Sequence, residues 1–277
     1  MNQILSNDLQ SPIGLIAGNG SLPFEFIESA KAKGIEVVTV AHVGETDKRI
    51  ELVSKSCTWV KVGQLGKVIR SLKKAGVKQA SFAGGIYKPK LFKSMSLDFK
   101  GFLTLVKLKT SNDDSILRGI TKEIEKSGIQ IFSAGVVLEN SIAKEGKLTK
   151  RNLSSEETEN AKIGWQAAEV IGKCDIGQTV VVNQKAIVAV EAVEGTDACI
   201  KRAGELSGKG AVIVKLSKPG QDERFDLPAV GVETIINMHN IGATALVIRA
   251  GATIFLKPQE IIEAADLHNI AIEAWRS

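Results

Sequence analysis

Ile13-Gly14-Leu15-Ile16-Ala17-Gly18-Asn19-Gly20-Ser21-Leu22-Pro23 runs from an apolar stretch through a glycine turn into a helical pattern, and this change of period decides the fold. The apolar stretch reads as a buried strand. Residues 22–33 have helical spacing, Gly34 closes them, and residues 36–41 begin a second apolar run. The alternation continues outward with strands at 58–62, 79–83 and 129–132 and helices at 66–74 and 114–126. Strands separated by helices predict a Rossmann-like α/β domain with a mostly parallel sheet covered on both faces.

The rhythm falters across residues 139–159, which are polar, charged and rich in Ser, Lys and Glu. A domain boundary is placed there, giving an N-terminal domain over 1–137 and a separate α/β domain over 138–277 that includes a polar linker at about 138–160. Beyond it, helices are expected at 160–171, 197–206 and 232–240, with strands at 179–182, 186–190 and 211–215. Runs at 245–248 and 253–256 resemble a hairpin joined through Gly251, and a last helix at 258–267 is expected to end the fold.

The chain has 277 residues, 44% hydrophobic and 24% charged, with only 6 Pro, so it has enough apolar surface to fold and is not disordered. Lys and Arg number 36 against 31 acids, for a net charge of +5 spread thinly along the chain. That favours an anionic ligand or a membrane surface over duplex DNA, so no nucleic-acid partner is expected. Cys57, Cys174 and Cys199 are isolated, which excludes a disulfide framework or zinc knuckle and points to a reducing compartment. Residues 1–10 are polar, and no stretch reaches the length of a membrane span. A soluble protein with peripheral membrane contact is the expectation.

The glycine turn puts free backbone N–H groups at a helix N-terminus, where phosphate binds. A tight turn whose glycines only permit the backbone path would have the same spelling. Pro23 stands where the dinucleotide fingerprint needs a small residue, and His42 follows the second strand in place of an acid, which disfavours NAD. Gly84 and Gly85 follow the fourth strand and open at the same edge. Between Lys88 and Lys109, lysines alternate with Leu91, Phe92, Met95, Phe99 and Phe102. The pattern fits a helix in a lipid headgroup layer or a core-facing helix with a solvated lysine edge.

Carboxylates gather at turns in the second half. Glu191, Glu194 and Asp197 follow a strand, and Asp197 can also serve as an N-cap. Gln221-Asp-Glu-Arg224-Phe-Asp226-Leu-Pro228 packs three acids and an arginine into one loop stiffened by proline. Such oxygen donors suit Mg²⁺. His42, His239 and His268 are scattered, without metal-binding spacing or a nucleophile elbow, so neither a dinuclear metallophosphatase nor triad hydrolysis is supported.

The opening at 14–23, Asn112-Asp113-Asp114-Ser-Ile-Leu-Arg118, Val193-Glu194-Gly195-Thr196-Asp197 and the loop at 221–228 together resemble the LpxI family, in order along nearly the whole chain. Asn112 stands where the family pattern has glycine. The resemblance implies two lobes holding a lipid nucleotide between them. It also implies Mg²⁺-dependent hydrolysis of UDP-2,3-diacylglucosamine to UMP and 2,3-diacylglucosamine 1-phosphate, with water attacking the sugar-side phosphorus. Asp226 falls on the family's catalytic aspartate. Arg224, Asp197 and Glu194 are expected to assist it, with Asp226 and Asp197 as metal ligands. Gly18, Asn19, Gly20, Ser21, Leu22 and Pro23, together with Asp114 and Thr196, are expected to bind substrate. Gly84, Gly85 and Lys88 are added by their strand-end position. The implied enzyme is cytoplasmic and touches the inner face of the inner membrane transiently to reach its substrate. A non-catalytic nucleotide or lipid-phosphate binding protein is the alternative, and a Rossmann-type oxidoreductase a third.

Overall fold

The computed structural model describes residues 5–86, 113–218, 222, 224 and 227–276, with the side chains of 113–115 left aside. The chain divides into two compact units, Met1–Glu139 with Asp222–Asp226, and Asn140–Gln221 with Leu227–Ser277.

The first unit is built on strands β1 (Ile13–Ala17), β2 (Val37–His42), β3 (Ser56–Val60), β4 (Gln79–Ala83) and β5 (Gln130–Ile131). They form a parallel sheet in the order β3-β2-β1-β4-β5. The order reverses between β1 and β4, so the loops at their carboxyl ends diverge to opposite faces and leave a crevice. Helices α1 (Leu22–Ala32), α2 (Ile50–Val53), α3 (Leu65–Lys74), α4 (Asp113–Lys126) and α5 (Ala134–Val137) complete the unit. Every residue of β1 is buried, which is why it reads as a continuous apolar run. Val68, Ile69 and Leu72 of α3 and Ile124 of α4 pack with Ile16, Val38 and Val40. Phe26 of α1 is fully buried, its ring 6.4 Å from that of Phe132.

The second unit contains β6 (Gly146–Lys147), β7 (Thr179–Asn183), β8 (Ala186–Val190), β9 (Val212–Lys215), β10 (Ala229–Val230), β11 (Ala245–Arg249), β12 (Ile254–Phe255) and β13 (Ala271–Trp275). Its helices are α6 (Ser155–Lys173), α7 (Thr196–Ser207), α8 (Val232–Asn240) and α9 (Pro258–Leu267). The main sheet has the order β6-β13-β11-β9-β7-β8 and is mixed, with β9, β11 and β13 parallel and β7 antiparallel to its neighbours. Alternate residues serve opposite faces: Val181, Ile213 and Leu246 pack with Ile200, Ile235 and Ile261, whereas Val180, Val214 and Val247 meet Ala161 and Ala168 of α6. Gly164 lets α6 lie this close, since a Cβ there would fall 2.6 Å from Val214 Cγ2.

Three expectations need correction. The runs at 245–248 and 253–256 are not a hairpin: β11 lies between β9 and β13, while β12 pairs in parallel with β10 in a separate two-stranded sheet. The chain does not end in a helix either, because β13 follows α9 and pairs in parallel with β11. Finally, α6 starts at Ser155, within the stretch read as linker. Ser154 and Glu157 form a capping box there, and Arg151 forks onto Glu157 at 2.7 and 2.8 Å. Among the described residues, no helix is long and apolar enough to cross a membrane.

Candidate active site

In the first unit the two strand-end turns meet. Gly18 N–H donates to Ala83 O at 2.8 Å and Asn19 N–H to Gly85 O at 2.7 Å, so the turns after β1 and β4 are tied backbone to backbone. A Cβ on Gly18 would fall 2.2 Å from Gly85 O, and one on Gly84, where φ is +84°, would fall 2.3 Å from Asn19 O. These glycines are therefore required by the close approach itself. Gly20, with φ +83°, has open space around its Cβ direction and leads into α1. The Ser21 side chain makes no capping bond, and Pro23 sits in the first turn. The N–H groups of Gly20, Ser21 and Leu22, which donate to no backbone carbonyl among the described residues, are the anion-attracting feature of this edge; Pro23 has no N–H, and those of Phe24 and Glu25 donate to Ser21 O. Asn19 Nδ2 donates to Glu45 Oε2 at 3.2 Å.

Gly18→Ala is expected to destabilise the protein by about 1–3 kcal/mol, because neither backbone can yield without breaking the bridge. Gly20→Ala should cost only about 1 kcal/mol, through its positive φ alone. Urea unfolding of the two variants checks the order, and an equal loss would contradict the clash.

In the second unit the carboxyl ends of β8, β9 and β11 share one edge of the sheet. Glu191 follows β8 and is 7% exposed. Thr196 Oγ1 donates to Glu191 Oε1 at 3.2 Å, while Glu191 Oε2 has no hydrogen-bond partner. Gly195 (φ +86°), not Asp197, is the N-cap of α7, and Asp197 is exposed in its first turn. Glu194 pairs with Arg202 at 2.7 Å, and that hydrogen bond holds its carboxyl below the ordinary carboxylate range.

The segment Asp222–Asp226 is grouped with the first unit. The Arg224 guanidinium grips Asp222 through Nε and Nη2 at 2.7–3.1 Å, and Nη1 donates to Glu125 Oε1 of α4 at 2.8 Å. Arg118, two turns before Glu125 on α4, lies 3.8 Å from Asp222 Oδ2. Hydrogen bonding to Arg224 is the main reason the Asp222 carboxyl is held below its usual range. Arg224 thus binds two carboxylates, Asp222 and Glu125, that the sequence reading did not single out.

Asp226, Lys88 and the basic-aromatic segment between Lys88 and Lys109 lie outside the described residues. Asp114 lies at the start of α4. Among the described residues, no group of three or more His, Cys, Asp or Glu is arranged to hold a metal ion.

Two family models match the chain, the LpxI N-terminal domain over residues 12–141 and the LpxI C-terminal domain over residues 144–273. A relative from Caulobacter vibrioides, described as UDP-2,3-diacylglucosamine pyrophosphatase LpxI, is 32% identical over 265 residues, or 92% of this chain and 94% of the relative. Among solved structures, a Rhizobium etli pyruvate carboxylase with acetyl coenzyme A matches 48% of this chain and 12% of its own at 15% identity and TM-score 0.28. An ADP complex of purK, N5-carboxyaminoimidazole ribonucleotide synthetase, matches 72% of this chain and 46% of its own at 13% identity and TM-score 0.29. At such TM-scores they carry no argument, and the chain spans less than half the length of either.

Proposed function

The chain belongs to the LpxI family, and from that premise we propose that it hydrolyses the pyrophosphate bond of UDP-2,3-diacylglucosamine, giving UMP and 2,3-diacylglucosamine 1-phosphate in lipid A biosynthesis. The 32% identity to a relative described by that activity, over 92% of the chain, carries the reading. Water oxygen bonds to the sugar-side phosphorus as the bridging P–O bond breaks. UMP leaves with the bridging oxygen, and the proton from water passes to Asp226 and on to solvent.

An anionic electrophile repels its nucleophile, so the catalyst must supply positive charge around the phosphates and orient the water. The backbone N–H groups of Gly20, Ser21 and Leu22, at the end of the turn and the start of α1, are the ones offered to a phosphate. Asp226 orients the water. Arg224, braced by Asp222 and Glu125, fixes the chain two residues before it. In the second unit Glu194 and Asp197 are the assisting groups and Thr196 a substrate contact. Mg²⁺ takes hard oxygen ligands. Asp226 and Asp197 are the proposed donors, and the buried, unpartnered Glu191 Oε2 of the same turn fits that chemistry. When bound, the ion supplies charge neutralisation at the phosphates. Each acyl CH₂ withdrawn from water contributes about 0.8 kcal/mol, so an apolar lining is the main source of affinity for the lipid. The segment from Phe92 to Leu108 is proposed to form part of that lining, and the wider segment between Lys88 and Lys109 is the proposed point of transient membrane contact.

Purified protein given UDP-2,3-diacylglucosamine and Mg²⁺ is expected to release UMP. Chelation should stop release, added Mg²⁺ should restore it, and heavy-oxygen water should label the sugar phosphate rather than UMP. Recovery of intact substrate from the saturated protein would identify a binding protein instead.

A further inference from the structure

His42 closes β2 beside the crevice, next to the β1 strand end, with Ala17 of β1 paired to Ala41. Its Nδ1 lies 2.9 Å from Ala17 O. A carbonyl oxygen only accepts, so Nδ1 carries the proton and the neutral ring keeps a lone pair on Nε2. Burial holds the His42 pKa below its ordinary value, outweighing the opposing pull of Ala17 O and Glu45. Thr46 fixes the arrangement: its hydroxyl donates to Ala17 O at 2.8 Å and accepts from His42 N–H at 3.0 Å. Ala17 O is thereby shared by ring and hydroxyl, and the imidazole is oriented by backbone that the sheet itself holds. Among the described residues no hydrogen bond to Nε2 is formed.

In a doubly wound sheet of this order, the residue ending the second strand, about 20 residues after the glycine turn, is the one that accepts a hydrogen bond from ribose. An acid usually stands there. Here the place is filled by a neutral ring with one oriented acceptor, which reads a hydroxyl without a charge of its own, while the Glu45 carboxylate nearby accepts from Asn19 of the turn. We propose that His42 Nε2 accepts a hydrogen bond from a ribose hydroxyl of the nucleotide whose phosphate lies at the turn of residues 18–21. The assignment rests on the nucleotide reading of the function given above.

The test is calorimetric binding of UMP, 2′-deoxy-UMP, 3′-deoxy-UMP and the 3-methyl-uracil analogue of UMP to the full chain and to His42→Ala and His42→Gln. Wild type is expected to bind UMP about three- to tenfold more tightly than one of the deoxy analogues, the worth of one hydrogen bond. His42→Ala should bind the two alike, and His42→Gln, which keeps an acceptor oxygen, should recover part of the preference. Melting temperatures taken in parallel show whether a variant has lost its fold, in which case His42→Gln decides. A ribose preference that survives in both folded variants overturns the proposal. So does a wild type with no ribose preference, or one in which His42 variants lose discrimination only against the methylated base. Turnover of UDP-2,3-diacylglucosamine by wild type, measured alongside, separates the two readings. Turnover without ribose preference removes His42 alone, whereas absence of both turnover and UMP binding removes the nucleotide reading with it.

Discussion

The Asp226→Ala protein is expected to lose about 10²–10⁴-fold in turnover of UDP-2,3-diacylglucosamine while still binding the lipid nucleotide, because a carboxylate that orients water acts on the transition state far more than on the bound ground state. UMP release under saturating substrate measures the first part, and lipid recovered with the purified variant measures the second. Wild-type turnover in that variant would sink the assignment of the acid. The chain approaching Asp226 is anchored at Arg224, by bonds to Asp222 two residues back and to Glu125 on α4. A loop carrying a water-orienting group needs such bracing, since a small misplacement of that group forfeits much of its effect.

Arg224→Ala removes that bracing and is the second large effect. It leaves the half-buried carboxylates of Asp222 and Glu125, 13% and 23% exposed, without the cation they share. Their partial solvent contact limits the stability loss to about 1–2 kcal/mol. Activity should suffer more, with kcat falling about 10–100-fold and KM changing little, the pattern of a group that positions rather than binds. Arg224→Lys should recover only a fraction, since an ammonium is a point charge and does not fork between two acids. A raised KM with kcat intact would instead place Arg224 on the substrate. The stability part has a pH signature. Arg224 depresses the Asp222 carboxyl, so its stabilisation is present above the ordinary carboxylate range and lost as pH falls through the depressed value. The gap between wild type and Arg224→Ala in urea unfolding should therefore narrow in acid.

How much of this was readable from residues alone follows from where the information lies. The β1 to α1 junction is local: an apolar run, four residues of turn and Pro23 state a buried strand and a helix start without outside help. The capping box at Ser154 and Glu157 was equally local, but it sat in a polar stretch and was read as linker. The false hairpin at 245–256 had the correct turn residue in Gly251. What it lacked was knowledge that β9 and β13, far away in sequence, already occupy both edges of β11. Ala271-Ile-Glu-Ala-Trp275 was missed because it is short, follows α9 almost directly, and becomes a strand only by pairing with β11. The candidate site divides in the same way. Gly18, Gly84 and Gly85 announce a close backbone approach by composition. The bond from Arg224 to Glu125 spans 99 positions, and nothing near either residue declares the other.

That span bears on the order of manufacture. A ribosome extrudes β1 to β5 long before it reaches Arg224, so the nascent first unit waits for its last piece until most of the second has been synthesised. A fragment stopping at Glu139 would own the whole parallel sheet and still leave Glu125 facing an absent guanidinium.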